Sequence, residues 1–308
     1  MKVSRPIIIG VATLILLAGI CPPSGGTGSE PTHGLNPIEL SAHDVVNGST
    51  LWLEINTDHF GEPISAVQVH FQDHFIPLVR HPLKSHNMYF GLVAIPLPSK
   101  PGQTYLTVEW SSSKGSHTKQ IPFTVVAGGY RTDTITVDSR KVSLNKKDLS
   151  RVKREKKAIA RVWKAANVER LWEGVFQLPI QSEVTSSFGN KRMFNDQLRS
   201  FHRGTDFRAA VGKPVLAANS GIVRMAKDLF YSGRIVIIDH GTGIFSTYAH
   251  LSRIDVKPDQ QVAKGQLIGL SGATGRVNGP HLHWGIKINQ TYVDPLQFVR
   301  VITSLMSD

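Results

Sequence analysis

Short β-favouring runs, separated by clusters of Gly, Pro and Ser, make up the sequence of residues 38–126. The runs lie at residues 50–55, 66–71, 91–95 and 105–110. Short strands at this spacing, each followed by a turn signal, are typical of a small β-sandwich. Because the chain has no pair of cysteines, we predict a sandwich that is immunoglobulin-like only in its architecture.

Residues 146–171 have a different character, since they contain neither Gly nor Pro and are rich in Lys, Arg, Ala and Glu. Their apolar residues lie near helical spacing: Leu149, Val152, Ile159, Val162, Trp163 and Ala166. This pattern predicts a connecting helix or a helical hairpin.

The N-terminus resembles an export signal. Lys2 and Arg5 precede an apolar stretch at residues 7–20, which is short for a membrane span and typical of a secretory signal. We therefore expect an exported protein of the periplasm or cell envelope. An uncleaved membrane anchor is the alternative, because no clean Ala-x-Ala cleavage site follows.

Cys21 is the only cysteine, so an intrachain disulfide is excluded. Its context is similar to a lipoprotein signal, but Ile20 occupies the position where such signals have a small residue. Lipidation of Cys21 is thus a second alternative to simple signal cleavage. The Pro-, Gly- and Ser-rich residues that follow predict a flexible tether.

Positive charge is concentrated in residues 140–170, which hold twelve Lys and Arg against three Asp and Glu, in a chain of net charge +12. Such a run is usually a solvated face, although in an envelope protein it would also attract anionic wall polymers or lipid head groups. Nucleic acid is not expected as a partner, because the protein is exported and the basic stretch lacks interleaved aromatic residues.

Two segments that are far apart in the sequence carry residue types that commonly bind metals. His202 and Asp206 are four apart, and the intervening Gly204 favours a turn that enters a strand over a helix. His281 and His283 are two apart in a β-favouring run, so their rings should project from one face of a sheet. A catalytic Zn²⁺ usually has three protein ligands from His, Asp, Glu and Cys, and a fourth position for water. His202, Asp206 and His283 meet this requirement without a cysteine.

A third motif completes the pattern: Tyr-x-His-Leu at residues 248–251 follows His-x-x-x-Asp and precedes Gly-Pro-His-Leu-His at residues 279–283. Three separated motifs in this order resemble the lysostaphin-like, LytM-type zinc metallopeptidases over roughly residues 176–298. The resemblance implies a C-terminal catalytic domain, mainly of antiparallel β-structure.

The same resemblance assigns roles to individual residues. It implies one Zn²⁺ bound by His202, Asp206 and His283, and catalytic roles for His250 and His281. We favour His281 as the general base, because it lies beside a ligand on the same strand face, with His250 orienting water or the oxyanion.

Other histidines and aromatic residues receive simpler predictions. We expect structural roles for the histidines of the N-terminal half that lack metal-site spacing: His70, His74, His81 and His86. His240 is predicted to end a strand and to form local hydrogen bonds. For Tyr248 and Trp284, lining a substrate groove and packing in a β core are equally open.

The predicted organisation has five parts. A signal sequence at residues 1–21 is followed by a flexible tether at 22–37 and a β-sandwich domain at 38–130. A basic helical linker at 131–172 then leads to a zinc metallopeptidase domain at 173–308. For the sandwich, placement or gating of the enzyme and a plain spacer are equally open. Gating predicts latency, with the sandwich or the basic segment covering the groove, so that a chain starting near Trp172 would cut faster.

The resemblance implies an exported zinc endopeptidase that hydrolyses the peptide cross-links of bacterial peptidoglycan, with the peptide stems of the wall as its partner. The alternative is a non-catalytic LytM-like regulator that activates another wall hydrolase. Regulators of that kind typically lose ligand residues, which are all present here. A secreted protease with protein substrates is a third reading.

Overall fold

The computed structural model describes residues 36–134, 144–194 and 197–307. The described residues fall into two compact units: one lies within Met1–Glu39, Leu53–Gly91 and Tyr105–Pro122, and the other lies within Leu40–Trp52, Leu92–Thr104 and Phe123–Asp308. The predicted signal sequence, Cys21 and almost all of the tether lie outside the described residues. Within the described part, no helix is both long and apolar enough to span a bilayer.

The N-terminal part of the described chain is built of strands, with one 3₁₀ helix at Thr57–Phe60. The strands are β1 Ile38–Leu40, β2 Asp44–Val46, β3 Thr50–Asn56, β4 Ile64–Phe71, β5 His74–Ile76, β6 Leu78–Arg80, β7 Met88–Ala94, β8 Gly102–Ser112, β9 Gly115–Val126 and β10 Thr132–Thr134. Each β-favouring run of the sequence therefore lies in or overlaps a strand.

In the first unit, β4 pairs antiparallel with β8 and with β5. Val67, Val69 and Phe71 alternate along β4 and are all buried, as the two-residue period of a strand requires. These strands agree with the predicted β-rich N-terminal half. Their immunoglobulin-like arrangement stays a prediction.

The C-terminal part of the described chain is also mainly β, and it contains two helices, α1 Lys146–Lys164 and α2 Pro295–Leu305. Its strands are β11 Val184–Ser186, β12 Lys191–Phe194, β13 Gln197–Phe201, β14 Thr205–Arg208, β15 Pro214–Leu216, β16 Gly221–Leu229, β17 Gly233–Gly241, β18 Ile244–Leu251, β19 Arg253–Ile254, β20 Gln261–Val262, β21 Leu267–Leu270, β22 His281–Ile288 and β23 Thr291–Val293. The predicted mainly antiparallel β-fold is confirmed.

The largest sheet of the second unit has the strand order β11-β14-β22-β18-β17-β16-β20, with β23 paired to β22. All of its described pairs are antiparallel. The alternating residues of β22 distinguish the two faces of this sheet. One face carries four completely buried residues: Leu282, Trp284, Ile286 and Ile288. The other face carries His281, His283, Gly285 and Lys287.

Helix α1 packs on the histidine-bearing face of this sheet. Its apolar residues Ala158, Ile159, Val162, Trp163 and Ala166 cover a buried cluster of sheet residues: Met225, Leu229, Ile235, Ile237, Phe245 and Ala249. Phe245 and Ala249 are the cross-strand partners of Lys287 and His283. The helix is therefore part of the second unit and lies beside the predicted metal ligands.

The structure corrects the predicted extent of this helix. A connecting helix or a helical hairpin was predicted over residues 146–171, but the structure has one helix there, α1, which ends at Lys164. The chain leaves the helix because the backbone N–H and side chain of Asn167 both donate to the buried carboxylate of Asp239, at 3.0 and 3.1 Å. Leu149, included in the predicted apolar face, is 43% exposed.

Helix α2 closes the described chain and packs against β22. The Asp294 carboxylate accepts hydrogen bonds from the backbone N–H groups of Leu296 and Gln297, and Pro295 occupies the first turn. Phe298, Ile302 and Leu305 form the buried face of the helix at the expected spacing.

Candidate metal centre

Two adjacent strands and one turn position the three predicted ligands. Asp206 on β14 lies directly opposite His283 on β22 in the antiparallel register, so the two strands hold these side chains together. His202 follows β13, and Gly204 lets the turn pass close to β22. A side-chain carbon at Gly204 would lie 2.5 Å from the Trp284 carbonyl oxygen and 2.7 Å from the His283 ring.

The potential ligand atoms lie close together. Nε2 of His202 is 3.0 Å from Oδ1 of Asp206 and 3.1 Å from Nδ1 of His283, and the last two atoms are 2.8 Å apart. Zinc ligands in tetrahedral arrangement are about 3.3–3.4 Å from one another, given metal–ligand bonds of about 2.0–2.1 Å. The three side chains therefore fit a metal ion after shifts of about half an ångström.

Hydrogen bonding fixes the tautomer of His202. Its Nδ1 lies 2.8 Å from the carbonyl oxygen of Ser187, which can only accept, so Nδ1 carries the proton. In the neutral ring, Nε2 then directs a lone pair at the carboxylate of Asp206. A lone pair facing a carboxylate oxygen at 3.0 Å is unfavourable, and either a second proton on Nε2 or a metal cation between the two atoms removes the repulsion.

The electrostatics of Asp206 agree with a cation site. Burial by itself would raise the pKa of this carboxyl, but the hydrogen bonds and charges of His202 and His283 outweigh burial and hold it well below the usual range. The His202 side chain is fully buried, whereas those of His281 and His283 are 20% and 21% exposed. The centre thus opens to solvent on the side of β22.

His250 and His281 lie beside this cluster. Their ring centroids are 4.8 Å apart, and Nε2 of His281 is 3.8 Å from Oδ1 of Asp206. Nδ1 of His250 donates to the Thr274 carbonyl and Nδ1 of His281 to that of Gly279, each at 2.9 Å. Both rings therefore keep Nε2 as the unprotonated, basic nitrogen.

Burial, and then the charges of His283 and His281, lower the pKa of His250 to about 3, which keeps this ring neutral. His250 also has a left-handed backbone, with φ of 65°, which is uncommon outside glycine. The structure thus brings all of the predicted metal and catalytic residues to one place, while their roles stay predictions.

Comparisons with known proteins agree with this geometry. Residues 200–295 match the model of peptidase family M23. The chain is 38% identical over 134 residues to peptidoglycan DD-endopeptidase ShyA of Vibrio cholerae serotype O1, covering 42% of this chain and 31% of ShyA. A crystal structure of a candidate M23 peptidase from Pseudomonas aeruginosa aligns with a TM-score of 0.62 at 29% identity, covering 83% of this chain and 95% of that one.

The catalytic domain of the antimicrobial peptidase lysostaphin from Staphylococcus simulans is 31% identical. That alignment covers 39% of this chain and 92% of the lysostaphin domain, with a TM-score of 0.35. The chain belongs to peptidase family M23. The match of residues 200–295 to the family model confirms the family predicted from the three motifs. The chain spans only 31% of the length of ShyA.

Other predicted residues of the M23 domain have structural roles. Tyr248 and Trp284 are completely buried. They therefore pack in the β core and do not line a substrate groove, the other role that the sequence left open. His240 lies in β17, as predicted near its end, and is buried there. It donates from Nδ1 to the Ser220 carbonyl at 2.7 Å, and its Nε2 is 2.7 Å from the Ser246 hydroxyl.

Sequence reasoning missed the backbone carbonyls that orient the rings of the M23 centre, those of Ser187, Thr274 and Gly279. Every residue has a carbonyl, so no residue type marks these positions. It also missed Lys287, which shares a strand face with His281 and His283. The alternation of β22 was the available signal, because residues two and four apart lie on one face.

The buried His240 is expected to make the M23 domain less stable in acid. Burial lowers the pKa of its ring to about 4, even though the Ser220 carbonyl favours the proton, whereas an unfolded histidine titrates near 6.5. Between these values the unfolded chain binds a proton that the native chain does not. The free energy of unfolding therefore falls as the pH falls from about 6.5 to 4, by about 3 kcal/mol.

The His240→Gln variant isolates this contribution from the other titrating groups. Urea unfolding from pH 7 to pH 4 should show that the stability advantage of the unaltered protein shrinks as the pH falls. A constant difference across this range would contradict the prediction.

Proposed function

We propose that the protein is a zinc-dependent endopeptidase that hydrolyses peptide cross-links of bacterial peptidoglycan. The observation that carries the proposal is the convergence of His202, Asp206 and His283 on one point, with two further imidazoles beside it. The names of relatives such as peptidoglycan DD-endopeptidase ShyA support the substrate class. The chemistry and the substrate are both proposals for this chain.

In this proposal Nε2 of His202, Oδ1 of Asp206 and Nδ1 of His283 hold one zinc ion. Two neutral imidazoles and one carboxylate are a donor set that suits zinc, and the measured separations allow it. A bound zinc ion supplies a Lewis acid for the scissile carbonyl and lowers the pKa of water. The Ser187 carbonyl holds His202 in the tautomer that such binding requires.

The protein's own residues perform the proton transfers. His281 accepts a proton from the attacking water at Nε2 and returns it to the leaving amine, while the Gly279 carbonyl keeps its Nδ1 protonated. His250, held in the same tautomer by Thr274, orients the water or the developing oxyanion. The side chain of His281 is 20% exposed, so a peptide can approach this ring from solvent.

The proposed setting is the cell envelope. The signal-like N-terminus supports export to the periplasm, with cleavage, anchoring and lipidation at Cys21 as the alternatives. Helix α1 could add attraction to anionic envelope surfaces, because many of its basic side chains are exposed: Lys146, Lys147, Lys153, Arg154, Lys156, Lys157, Arg161 and Lys164.

Hydrolysis of defined cross-linked wall fragments by the purified protein tests the proposal. Mass spectrometry should detect fragments released by the protein alone, lost with a chelator and restored by Zn²⁺, and their masses identify the bond cut. Fragments that appear only when a second wall hydrolase is added would favour the non-catalytic regulator. Digestion of casein in preference to sacculi would favour a general protease.

Substitution of the proposed base should separate catalysis from metal binding. We expect His281→Gln to lower kcat by about 10²–10⁴-fold, the usual contribution of a general base, while one zinc per chain is retained. Elemental analysis and steady-state cleavage rates measure the two effects. The matched control is His86→Gln, which alters an exposed histidine of the first unit. Full activity of the His281 variant would exclude the assigned role.

A further inference from the structure

A pocket of about 490 Å³ lies beside the proposed centre, within the second unit. Its walls include Phe201 and Arg203, the two neighbours of His202, together with Phe188, which follows Ser187. The remaining polar part of the lining consists of Lys287, Gln290, Thr291 and Tyr292. The segments that hold the proposed ligand His202 thus also form this pocket.

Two cations of the pocket share one aromatic ring. Nζ of Lys287 lies 4.4 Å from the ring centroid of Tyr292 and 5.0 Å from that of Trp163. The guanidinium carbon of Arg203 lies 5.6 Å from the Tyr292 centroid. Among the described residues, no carboxylate forms an ion pair with Lys287 or Arg203, so their charges rest on aromatic faces alone.

Lys287 is unusual because it is only 7% exposed. Burying an ammonium group without an acidic partner is unfavourable, and lysines are rarely buried unless paired. Burial, and then the positive charge of Arg203, lower the pKa of Lys287 to about 8. The fold therefore keeps two mutually repelling cations at an open pocket. An anionic ligand bound there would offset both the burial of the Lys287 charge and its repulsion by Arg203.

The place and lining of the pocket indicate what that anion belongs to. Lys287 and His283 are four residues apart on one strand face, about 13 Å at the rise of a strand. An extended peptide bound at the centre can span this distance within about four residues. The aromatic and proline residues of the wall, among them Pro96 and Pro98, suit a peptide segment better than a bare inorganic anion.

We propose that Arg203 and Lys287 form a carboxylate-binding subsite that recognises a free carboxylate on the wall peptide cut at the adjacent centre. The inference rests on the proposed endopeptidase function for its substrate, but the recognition chemistry is separate from hydrolysis. The guanidinium and the ammonium donate charge-assisted hydrogen bonds to the carboxylate, and Tyr292 holds both cations in place. The subsite would make the protein select peptides with that carboxylate free.

Paired substrates test this selectivity in the whole protein. Two cross-linked wall peptides that differ only in a free or amidated carboxylate are compared by kcat/KM. We expect the free acid to be preferred by about 10–100-fold, the usual effect of losing a charge-assisted hydrogen bond. In Lys287→Met and Arg203→Gln the preference should fall toward one.

The choice of variants keeps the test interpretable. Methionine preserves the apolar stem of Lys287 and removes a buried charge, so the variant should fold, which thermal melting checks. The matched control is Lys213→Met, which removes an exposed lysine and should keep the preference for the free acid. An unchanged preference in the folded Lys287→Met protein would overturn the proposal.

Direct binding separates this proposal from the proposed function. Fluorescence anisotropy of labelled free-acid and amidated wall peptides, measured with chelator present, requires no hydrolysis. Selective binding of the free acid that is lost in Lys287→Met supports the subsite even if the protein cuts nothing. Equal binding of both peptides overturns it even if the protein is an active endopeptidase. Competition by inorganic phosphate without any peptide selectivity would show a general anion site and would also overturn it.

Discussion

Replacing Asp206 by Asn is expected to remove metal binding and wall-peptide hydrolysis together. Asp206 supplies the only carboxylate of the proposed ligand set, and its oxygen lies within about 3 Å of both imidazole nitrogens. An amide carries no charge and is a weaker zinc ligand. Loss of an outer partner of a metal site already reduces affinity or activity by 10–100-fold, so loss of a ligand should exceed about 100-fold. Elemental analysis and cleavage of defined wall fragments measure the two losses.

Asp228→Asn is the matched control for this prediction. It makes the same chemical change on the same sheet, at a side chain that is 58% exposed and paired with Arg151. It should retain both zinc and activity. Zinc bound at full stoichiometry by folded Asp206→Asn protein would contradict the proposed ligand set.

Deleting helix α1 is expected to destabilise the M23 domain. A chain that starts at Trp172 lacks the helix, together with the first unit and the earlier segments of the second unit, and it exposes the apolar sheet residues beneath the helix, including Ile235, Ile237 and Phe245. An exposed apolar patch of this kind favours aggregation. We therefore expect the shortened chain to be poorly soluble or less stable, and to cut no faster. This outcome is opposite to the one expected if α1 acted as a removable cover.

A single substitution in the whole chain measures how much the packing of α1 on the sheet contributes to stability. Trp163 packs edge-on against Phe245, with ring centroids 5.1 Å apart, and also lies near Tyr292. We expect Trp163→Ala to lower the free energy of unfolding by about 2–3 kcal/mol, below the 3–5 kcal/mol typical of fully buried aromatic residues. Lys164→Ala, at an exposed position of the same helix, should have little effect.

Urea denaturation measures both variants, and size-exclusion chromatography examines the shortened chain. A monomeric shortened chain that melts like the whole protein and cuts wall peptides faster would support latency instead.

Sequence could predict those features of the candidate site that depend on the spacing of residues close together in the chain. His281 and His283 share a face because the side-chain period of a strand is two, and β22 begins at His281 as expected. Gly204 correctly indicated a turn into a strand for His202 and Asp206. These features depend on neighbours within a few residues, which the sequence displays directly.

Features that depend on distant contacts could not be predicted in this way. The end of α1 is set by Asp239, which is far along the chain and competes for the backbone of Asn167. The apolar spacing continues to Ala166, so nothing local marks the end of the helix. Similarly, nothing in the neighbouring sequence marks Lys287 as a buried lysine. Its burial follows from the packing of Trp163 and Tyr292 around it.

The direct pairing of Asp206 with His283 bears on how the protein would take up the proposed metal ion. Backbone hydrogen bonds between adjacent strands set the separation of these two side chains, so under the proposed function two of the ligands would be held together before a cation binds. Binding of the metal ion would then cost little conformational entropy, because these ligand side chains are already ordered. Small domains that fold only around their metal differ in this respect. Stripping the ion should leave the β-sheet intact, and one divalent cation should be exchangeable for another without denaturation.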